Sequence, residues 1–201
     1  MLTAVLEAAR DQGFLGPGPV EAHVAHSRAM AELLGPPPGP FLDLGSGGGV
    51  PGLVLALAWP NATGVLLDRR VRSAAFLAEA IARLGLSDRL TVATVRAEAA
   101  ARDPDLRGGF ALVVARAFGP PAATAECGVG FLREGGRLAV SEPPNADPTT
   151  RWPTDGLTRL GLLAPEILHG PETTVAVLTL NSRADDKWPR NPGTPKKRPL
   201  W

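Results

Sequence analysis

A glycine-rich segment that follows a short apolar run constrains the fold of this chain more than any other feature. Residues 41–44 read Phe-Leu-Asp-Leu, glycine occupies five of the next eight positions, and an apolar helical pattern begins at Leu53. Glycines let the backbone take positive φ and approach a ligand closely, and the first N–H groups of a helix face whatever polar group lies there. Pro51 suits the first helical turn because its missing N–H would have no partner there. The segment predicts a strand, a tight turn and a helix that together hold a small ligand.

The acidic residues around this turn indicate which ligand it holds. The dinucleotide fingerprint places an acidic residue about 20 residues downstream, whereas Asp43 comes two positions before Gly45. An acidic residue at that place resembles motif I of the class I S-adenosylmethionine (SAM) methyltransferases. The next predicted strand ends in Asp68, where a carboxylate can accept hydrogen bonds from both ribose hydroxyls. SAM is the predicted cofactor, and a nicotinamide or flavin nucleotide, or a turn without a ligand, are the alternatives.

Strand and helix patterns alternate from residue 41 onward. Strands are predicted at 41–44, 64–68, 90–95, 110–115 and 137–141, and helices at 51–58, 70–84, 97–102, 121–132 and 154–161. Such alternation indicates a parallel sheet with helices on both faces, which binds ligands beyond the carboxyl ends of its strands. Residues 163–168 and 174–180 are predicted to close the sheet as an antiparallel pair. The predicted fold is α/β and Rossmann-like, with seven mostly parallel strands and a short N-terminal helical extension (helices at 1–12 and 20–34).

Length and composition bound the remaining possibilities. The chain has 201 residues, a net charge of +1 and one cysteine, which predicts a single domain without an internal disulfide and without a global basic field. No apolar stretch reaches about 18 residues and no leader pattern precedes the first helix, so we expect a cytoplasmic protein without a membrane partner. We also expect a monomer. The expected organisation is an N-terminal extension (1–40), a cofactor-binding core (41–182) and a basic tail (183–201).

Three side chains outside the glycine turn are candidates for the substrate side. His23 and His26 share one face of the second predicted helix, but without a third ligand nearby they are a poor zinc signal, so no metal is predicted. Two roles stay open for these histidines: a capping or solvated role, and a role in the substrate pocket. Arg116 ends the fourth strand beside Phe118 and is predicted to anchor a planar or anionic substrate. The alternative is a surface arginine paired with a helix carboxylate.

Several segments together resemble one known family. Residues 43–52 resemble its D-x-G-S/T-G-x-G-L/V-P-G, residues 66–68 with 76–77 resemble its second-strand segment, and residues 115–118 resemble its S/A-R-A-F/V. Residues 187–200 resemble the ending Y-P-R-x-x-G-x-P-x-K-x-P-L of many members, and residues 23–27 more weakly resemble H-I/L-x-D-S. The family is that of the bacterial small-subunit rRNA guanine-N7 methyltransferases (RsmG, also called GidB).

This resemblance, with the motifs above, assigns the candidate site. It implies SAM as cofactor with S-adenosylhomocysteine as product, and rRNA or the 30S ribosomal subunit as partner. The candidate cofactor-binding residues are Asp43, Gly45, Ser46, Gly47, Pro51, Asp68, Arg69, Ala97, Glu98 and Arg116. Arg116 is also the candidate catalytic residue, and the candidate substrate residues are His23, His26, Glu142, Lys196 and Lys197.

Two departures from the family pattern bear on the substrate. The family's lysine near the end of the fifth strand is missing, and Glu142 lies at that place; the aspartate of the H-I/L-x-D-S segment becomes His26. The replaced lysine, together with the near-neutral net charge and an N-terminal helical region that is short for the family, favours as an alternative a small-molecule methyltransferase in which Glu142, His23 or His26 acts as a base or polar anchor. A non-catalytic SAM-binding scaffold is the third possibility.

The first prediction remains methyl transfer to guanine N7 of rRNA. This nitrogen already carries a lone pair, so the enzyme needs no base, and catalysis depends mainly on proximity and orientation. The basic tail, with Trp188 and Trp201 as stacking faces, favours an RNA partner. A solvated tail that orders only against the domain is the alternative.

Overall fold

One seven-stranded sheet forms the centre of the molecule, and the computed structural model describes all residues, 1–201. Its strands are β1 (Phe41–Leu44), β2 (Gly64–Leu67), β3 (Leu90–Ala93), β4 (Phe110–Ala115), β5 (Leu132–Glu142), β6 (Glu166–His169) and β7 (Thr174–Thr179). They lie in the order β3-β2-β1-β4-β5-β7-β6. β1 to β5 are parallel, whereas β7 runs antiparallel between β5 and β6. The predicted α/β fold and the predicted antiparallel pair are confirmed.

Nine helices surround the sheet. They are α1 (Leu2–Asp11), α2 (Val20–Leu34), α3 (Gly52–Ala58), α4 (Val71–Arg83), α5 (Ala97–Ala100), α6 (Pro121–Val129), α7 (Pro148–Arg151), α8 (Thr154–Arg159) and α9 (Thr194–Lys197). No helix combines the length and the apolar character that a membrane crossing requires. The short helices α7 and α9 were not predicted, because proline-rich segments of four helical residues carry no periodic signal.

The boundary between α6 and β5 differs most from the sequence prediction. The helix predicted to reach residue 132 ends at Val129, and the strand predicted from residue 137 begins at Leu132. Gly130 ends the helix, and glycine is a poor helix former. Two charged residues and two glycines at 133–136 hide the beginning of the strand, where the register with β4 shifts between the pairs Phe110–Leu132 and Leu112–Arg137. An irregularity of this kind breaks the period-two pattern on which strand prediction depends.

Apolar residues cover both faces of the sheet. All six residues of β4 are buried; Leu112 and Val114 belong to a core cluster with α1 to α4, while Val113 and Ala115 belong to a second cluster with α5, α6 and the segment that contains Trp188. Burial on both faces is the property that makes parallel strands continuously apolar. The carboxyl ends of the strands are left as the edge where polar groups collect.

Candidate functional site

A cavity of about 410 Å³ opens at the carboxyl edge of the sheet. This volume lies within the range, about 300–1,000 Å³, that is usual for small-molecule sites. Its wall comes from the loops after β1 to β4, from α6 and from the tail: Gly45, Leu67–Arg70, Val95–Glu98, Ala117–Pro120, Ala123, Cys127, Gly193 and Pro195–Lys197. Two carboxylates, Asp68 and Glu98, therefore share this wall with apolar side chains and with five cationic ones.

Two glycines of the turn are needed for close approaches. Gly45 has φ +80°, and a Cβ built on it would lie 2.7 Å from Cδ2 of Phe118. A Cβ on Gly52 would lie 2.5 Å from Oδ2 of Asp43 and from Cδ2 of Leu66. The glycine at residue 52 thus lets the first turn of α3 approach the Asp43 carboxylate, while Gly45 lets the loop pass under the Phe118 ring.

Asp68 is fixed at the cavity by backbone and side-chain donors. Its Oδ2 accepts a hydrogen bond from the N–H of Gly47 at 2.9 Å, and its Oδ1 accepts one from the N–H of Arg70 at 2.8 Å. The Arg70 guanidinium lies 3.3 Å from Oδ1. Nη2 of Arg70 also donates to Oδ2, at 3.4 Å. These four donors match the about four lone-pair positions of a carboxylate, so a ligand hydroxyl would bind Asp68 in place of the half-exposed Arg70 guanidinium.

Asp43 lies beneath the turn and does not line the cavity. It is 1% exposed, and its Oδ2 accepts a hydrogen bond from the N–H of Gly52 at 3.0 Å. Burial raises the pKa of this carboxyl to about 7, although the hydrogen bond from Gly52 opposes the change. Such a group titrates in the physiological range.

The predicted cofactor residues divide into two sets. Those on the cavity wall are Gly45, Asp68, Arg69, Ala97 and Glu98; those not on it are Asp43, Ser46, Gly47, Pro51 and Arg116. Members of the second set support the first, as the hydrogen bond from Gly47 to Asp68 shows.

Arg116 is held by a histidine and keeps one nitrogen free. Its Nη2 lies 2.7 Å from Nδ1 of His23, while its Nη1 is buried without any hydrogen-bond partner. His23 Nε2 lies 3.1 Å from the carbonyl oxygen of Gly16. A carbonyl can only accept, so Nε2 carries the proton and Nδ1 accepts from Arg116. The paired imidazole is therefore neutral, and the cation keeps its full charge.

His26 connects three separate segments through a neutral network. Its Nδ1 donates to the carbonyl oxygen of Glu172 at 3.0 Å, and its Nε2 lies 2.9 Å from Oγ of Ser141 and 3.2 Å from Oγ1 of Thr173. Burial and the charge of Arg116 lower the pKa of His26. No group of three or more potential ligand side chains is placed to hold a metal ion.

The structure does not bring Glu142 to the cavity. Its side chain is buried, its Oε1 accepts a hydrogen bond from Nε1 of Trp152 at 3.1 Å, and its Oε2 pairs with Nε of Arg151. Both carboxylate oxygens are thus used to fasten α7 and the following tryptophan to the end of β5. This arrangement supplies no free base.

The tail packs onto the core, as in the alternative of a tail that orders against the domain, but the contact that holds it there was not predicted. Lys196 and Lys197 line the cavity as part of a segment held through Arg190, which pairs with the fully buried Glu126 of α6. The only available signal was a single carboxylate in an otherwise small and apolar helix. A buried charge of that kind requires a partner, but the sequence does not reveal that the partner lies 64 residues away.

Sequence comparisons with known proteins agree with this geometry. The family model described as rRNA small subunit methyltransferase G matches residues 19–141. A ribosomal RNA small subunit methyltransferase G of Pelotomaculum thermopropionicum is 33% identical over 166 residues, which cover 80% of this chain and 69% of that protein. Its namesake in Roseiflexus castenholzii is 33% identical over 186 residues, which cover 90% of this chain and 79% of the relative.

Solved structures support the fold. A SAM-dependent O-methyltransferase of Thermotoga maritima matches with a TM-score of 0.62 and 15% identity, over 90% of this chain and 72% of that one. A T. thermophilus 16S rRNA N2 methyltransferase in complex with AdoMet and guanosine matches with a TM-score of 0.56 and 18% identity, over 80% of this chain and 40% of that one. At such identities the likeness extends to architecture alone.

Proposed function

The chain belongs to the rRNA small subunit methyltransferase G family, and from this premise we propose that it methylates guanine N7 of small-subunit rRNA with SAM as the methyl donor. The observation that carries the proposal is the family match over residues 19–141, which contain every cavity residue that the sheet and α6 contribute. The class I methyltransferase fold agrees with it. The recognition of the family from its motifs is thereby confirmed.

The cavity residues fit SAM. Asp68 would accept hydrogen bonds from the ribose hydroxyls in place of the half-exposed Arg70 guanidinium, because backbone N–H groups hold this carboxylate at the end of β2. Leu67, Val95 and Ala123 offer an apolar slot for the adenine ring. When bound, SAM supplies a methyl group on a sulfonium. The chain must then hold the base in line and exclude competing nucleophiles.

Arg116 is the residue that we assign to the guanine. It follows β4 next to the cavity residue Ala117, and its Nη1 has no partner within the protein. A guanidinium can donate to the O6 edge of guanine or to a phosphate. Since N7 is already a nucleophile, no proton has to move, and the neutral His23 serves to aim Arg116. Positioning of this kind can contribute about 7–11 kcal/mol to catalysis.

A methyl-transfer assay tests the proposal. Radiolabelled SAM would be offered to 30S subunits that lack the N7 modification, to free rRNA and to an extract of small metabolites. We expect label in rRNA as N7-methylguanine, and a loss of at least about 100-fold in Arg116→Ala, since misplacement of a reacting group by about 1 Å costs that much. Arg28→Ala removes an exposed arginine without side-chain bonds and is the matched control.

Two results would contradict the proposal. Label that enters only a small molecule would mean that the fold and cofactor serve another substrate. Label that enters rRNA equally in the native chain and in Arg116→Ala would remove Arg116 from the site. The small-molecule alternative has lost one argument already, because Glu142 is engaged by Arg151 and Trp152.

A further inference from the structure

The C-terminal tail supplies one side of the cavity. We propose that residues 190–197 are a wall of the cofactor site, so that SAM and the docked tail stabilise each other. The inference rests on the proposed use of SAM, but it concerns residues to which neither the family model, which ends at residue 141, nor the cofactor motifs assign a role.

The first anchor of this wall is a buried ion pair. Glu126 is 0% exposed; its Oε1 accepts from the N–H of Arg190 at 2.8 Å and from Nε at 2.9 Å, and its Oε2 accepts from Nη2 at 2.7 Å. Bidentate, charge-assisted hydrogen bonds of this geometry are among the strongest in proteins. The tail is thus attached to α6, which itself lines the cavity through Ala123 and Cys127.

The second anchor is shared with the predicted cofactor site. The N–H of Gly193 donates to Oε1 of Glu98 at 2.7 Å, and Arg96 Nη2 lies 3.3 Å from the same oxygen. Glu98 belongs to α5 and lines the cavity. One carboxylate therefore both contacts the tail and lines the cavity. A ligand that contacts Glu98 thus also affects the position of Gly193.

The third element is the short helix α9, which faces the space directly. Pro195 is buried, and Pro195, Lys196 and Lys197 line the cavity. Neither lysine has a salt-bridge partner, unlike Lys187, whose Nζ lies 2.8 Å from Asp185. The adenine and ribose of SAM carry no negative charge, so the aliphatic stems, not the ammonium groups, would contact the cofactor.

Mutual stabilisation follows from linkage. A ligand that binds only when the tail is docked favours the docked state, and weakening the docked state lowers the apparent affinity for that ligand. Calorimetric titration of SAM into the purified full chain measures this directly. We expect Arg190→Ala to raise the Kd for SAM at least about tenfold. Lys187→Ala removes a tail cation that does not line the cavity and should change the Kd less than about twofold.

A second variant tests the proposal independently if Arg190→Ala fails to fold. Gly193→Pro removes the N–H that Glu98 accepts and cannot adopt the φ of +83° found there, while it leaves the pair of Arg190 and Glu126 in place. It should raise the Kd in the same direction. Thermal unfolding of each variant without SAM separates a loss of affinity from a loss of the folded state.

Limited trypsin digestion gives an independent readout. Cleavage after Lys196 and Lys197 should slow when SAM is added to the native chain, whereas cleavage after Lys187 should slow less. If the native chain does not bind SAM, the proposed function fails. A different result would be that the native chain binds SAM, both tail variants bind it equally well, and SAM does not slow trypsin cleavage of the tail. The proposal that residues 190–197 form a wall of the cofactor site would then be wrong, while SAM would remain the assigned cofactor.

Discussion

The proposed cofactor region (Asp43, Asp68 and Glu98) and the proposed substrate region (His23, His26 and Arg116) lie at the same edge of the sheet, but different backbone groups bond to their side chains. In the cofactor region each carboxylate accepts from a glycine N–H: Asp43 from Gly52, Asp68 from Gly47, and Glu98 from Gly193. In the substrate region each imidazole lies against a backbone carbonyl: His23 against Gly16 and His26 against Glu172. Backbone N–H groups thus favour negative charge in the first region. In the second region the backbone carbonyl of Glu172 favours protonation of His26, and it is burial and the charge of Arg116 that keep this ring neutral.

The difference makes opposite responses to pH testable. Because the buried carboxyl of Asp43 opposes ionisation and the buried imidazole of His26 opposes protonation, these two groups should reduce stability at opposite ends of the pH range. Four experiments, in order of decreasing expected effect, test this contrast.

The largest effect is expected for Asp43→Asn at high pH. A carboxyl with a pKa of about 7 in the folded state, against 3.8 as reference, costs stability as pH rises from about 4 to 7. Asparagine keeps an oxygen for the Gly52 N–H but cannot ionise. The free energy of unfolding of the variant should be higher than that of the native chain by up to about 4 kcal/mol at pH 8. This difference should vanish toward pH 4. Urea unfolding of both proteins between pH 4 and pH 8 measures this difference. Equal stability of the two proteins at pH 8 would show that ionisation of Asp43 does not cost stability.

Asp68→Ala should produce the largest loss of SAM affinity. The substitution removes an acceptor for the ribose and releases the Gly47 N–H. Hydrogen bonds to charged groups contribute about 1.5–3 kcal/mol each, so we expect the Kd to rise about 100-fold. Asp88→Ala, at an exposed position, is the matched control in a calorimetric titration. Unchanged affinity in Asp68→Ala would mean that the cofactor is held elsewhere.

Glycine-to-alanine substitutions compare backbone tolerance in the two regions. At Gly52 the new Cβ would meet Oδ2 of Asp43 at 2.5 Å, whereas at Gly16 its nearest contact is Cε1 of His23 at 4.0 Å. Overpacking costs about 1–3 kcal/mol, so Gly52→Ala should lower the free energy of unfolding by about 2 kcal/mol. Gly16→Ala should leave it nearly unchanged. Similar urea midpoints for the two variants would show that the turn of α3 adjusts freely.

The smallest effect is expected at His26. Burial and the charge of Arg116 lower its pKa, so the folded state opposes protonation and stability falls as pH drops through and below about 6.5, the value for the unfolded chain. His26→Gln abolishes this titration. The native chain should lose more stability than the variant between pH 7.5 and 5.5 when urea midpoints are compared. Parallel profiles would show that the neutral network tolerates a charge.

The glycine turn after β1 could be predicted because its contacts are local. Asp43, Gly45 and Gly52 lie within ten residues, and a turn of that length leaves a readable pattern of glycines and one carboxylate. The strands β1 to β4 were also predictable, since they are nearly continuous apolar runs. Among these four strands, only β2 and β3 end earlier than predicted, by one residue and two residues respectively.

The substrate region and the tail could not be predicted because their contacts span most of the chain. His23 meets Arg116 across 93 residues, and His26 meets Ser141 across 115 residues. Glu142 was expected to act at the site, but Arg151 and Trp152 lie close enough in sequence to engage it first. No local pattern distinguishes a carboxylate that binds a ligand from one that fastens a neighbouring helix.

The insertion of β7 between β5 and β6 determines the order in which a nascent chain can complete this sheet. When β6 leaves the ribosome it has no neighbour, because its only partner is β7, which is made afterwards. The five parallel strands can pair earlier, in the order of synthesis. Since domains fold as they emerge at about 5–20 residues per second, the cavity would acquire its strand-end walls first and residues 190–197 last. Competence to bind the cofactor would then arise only after residues 190–197 had been synthesised.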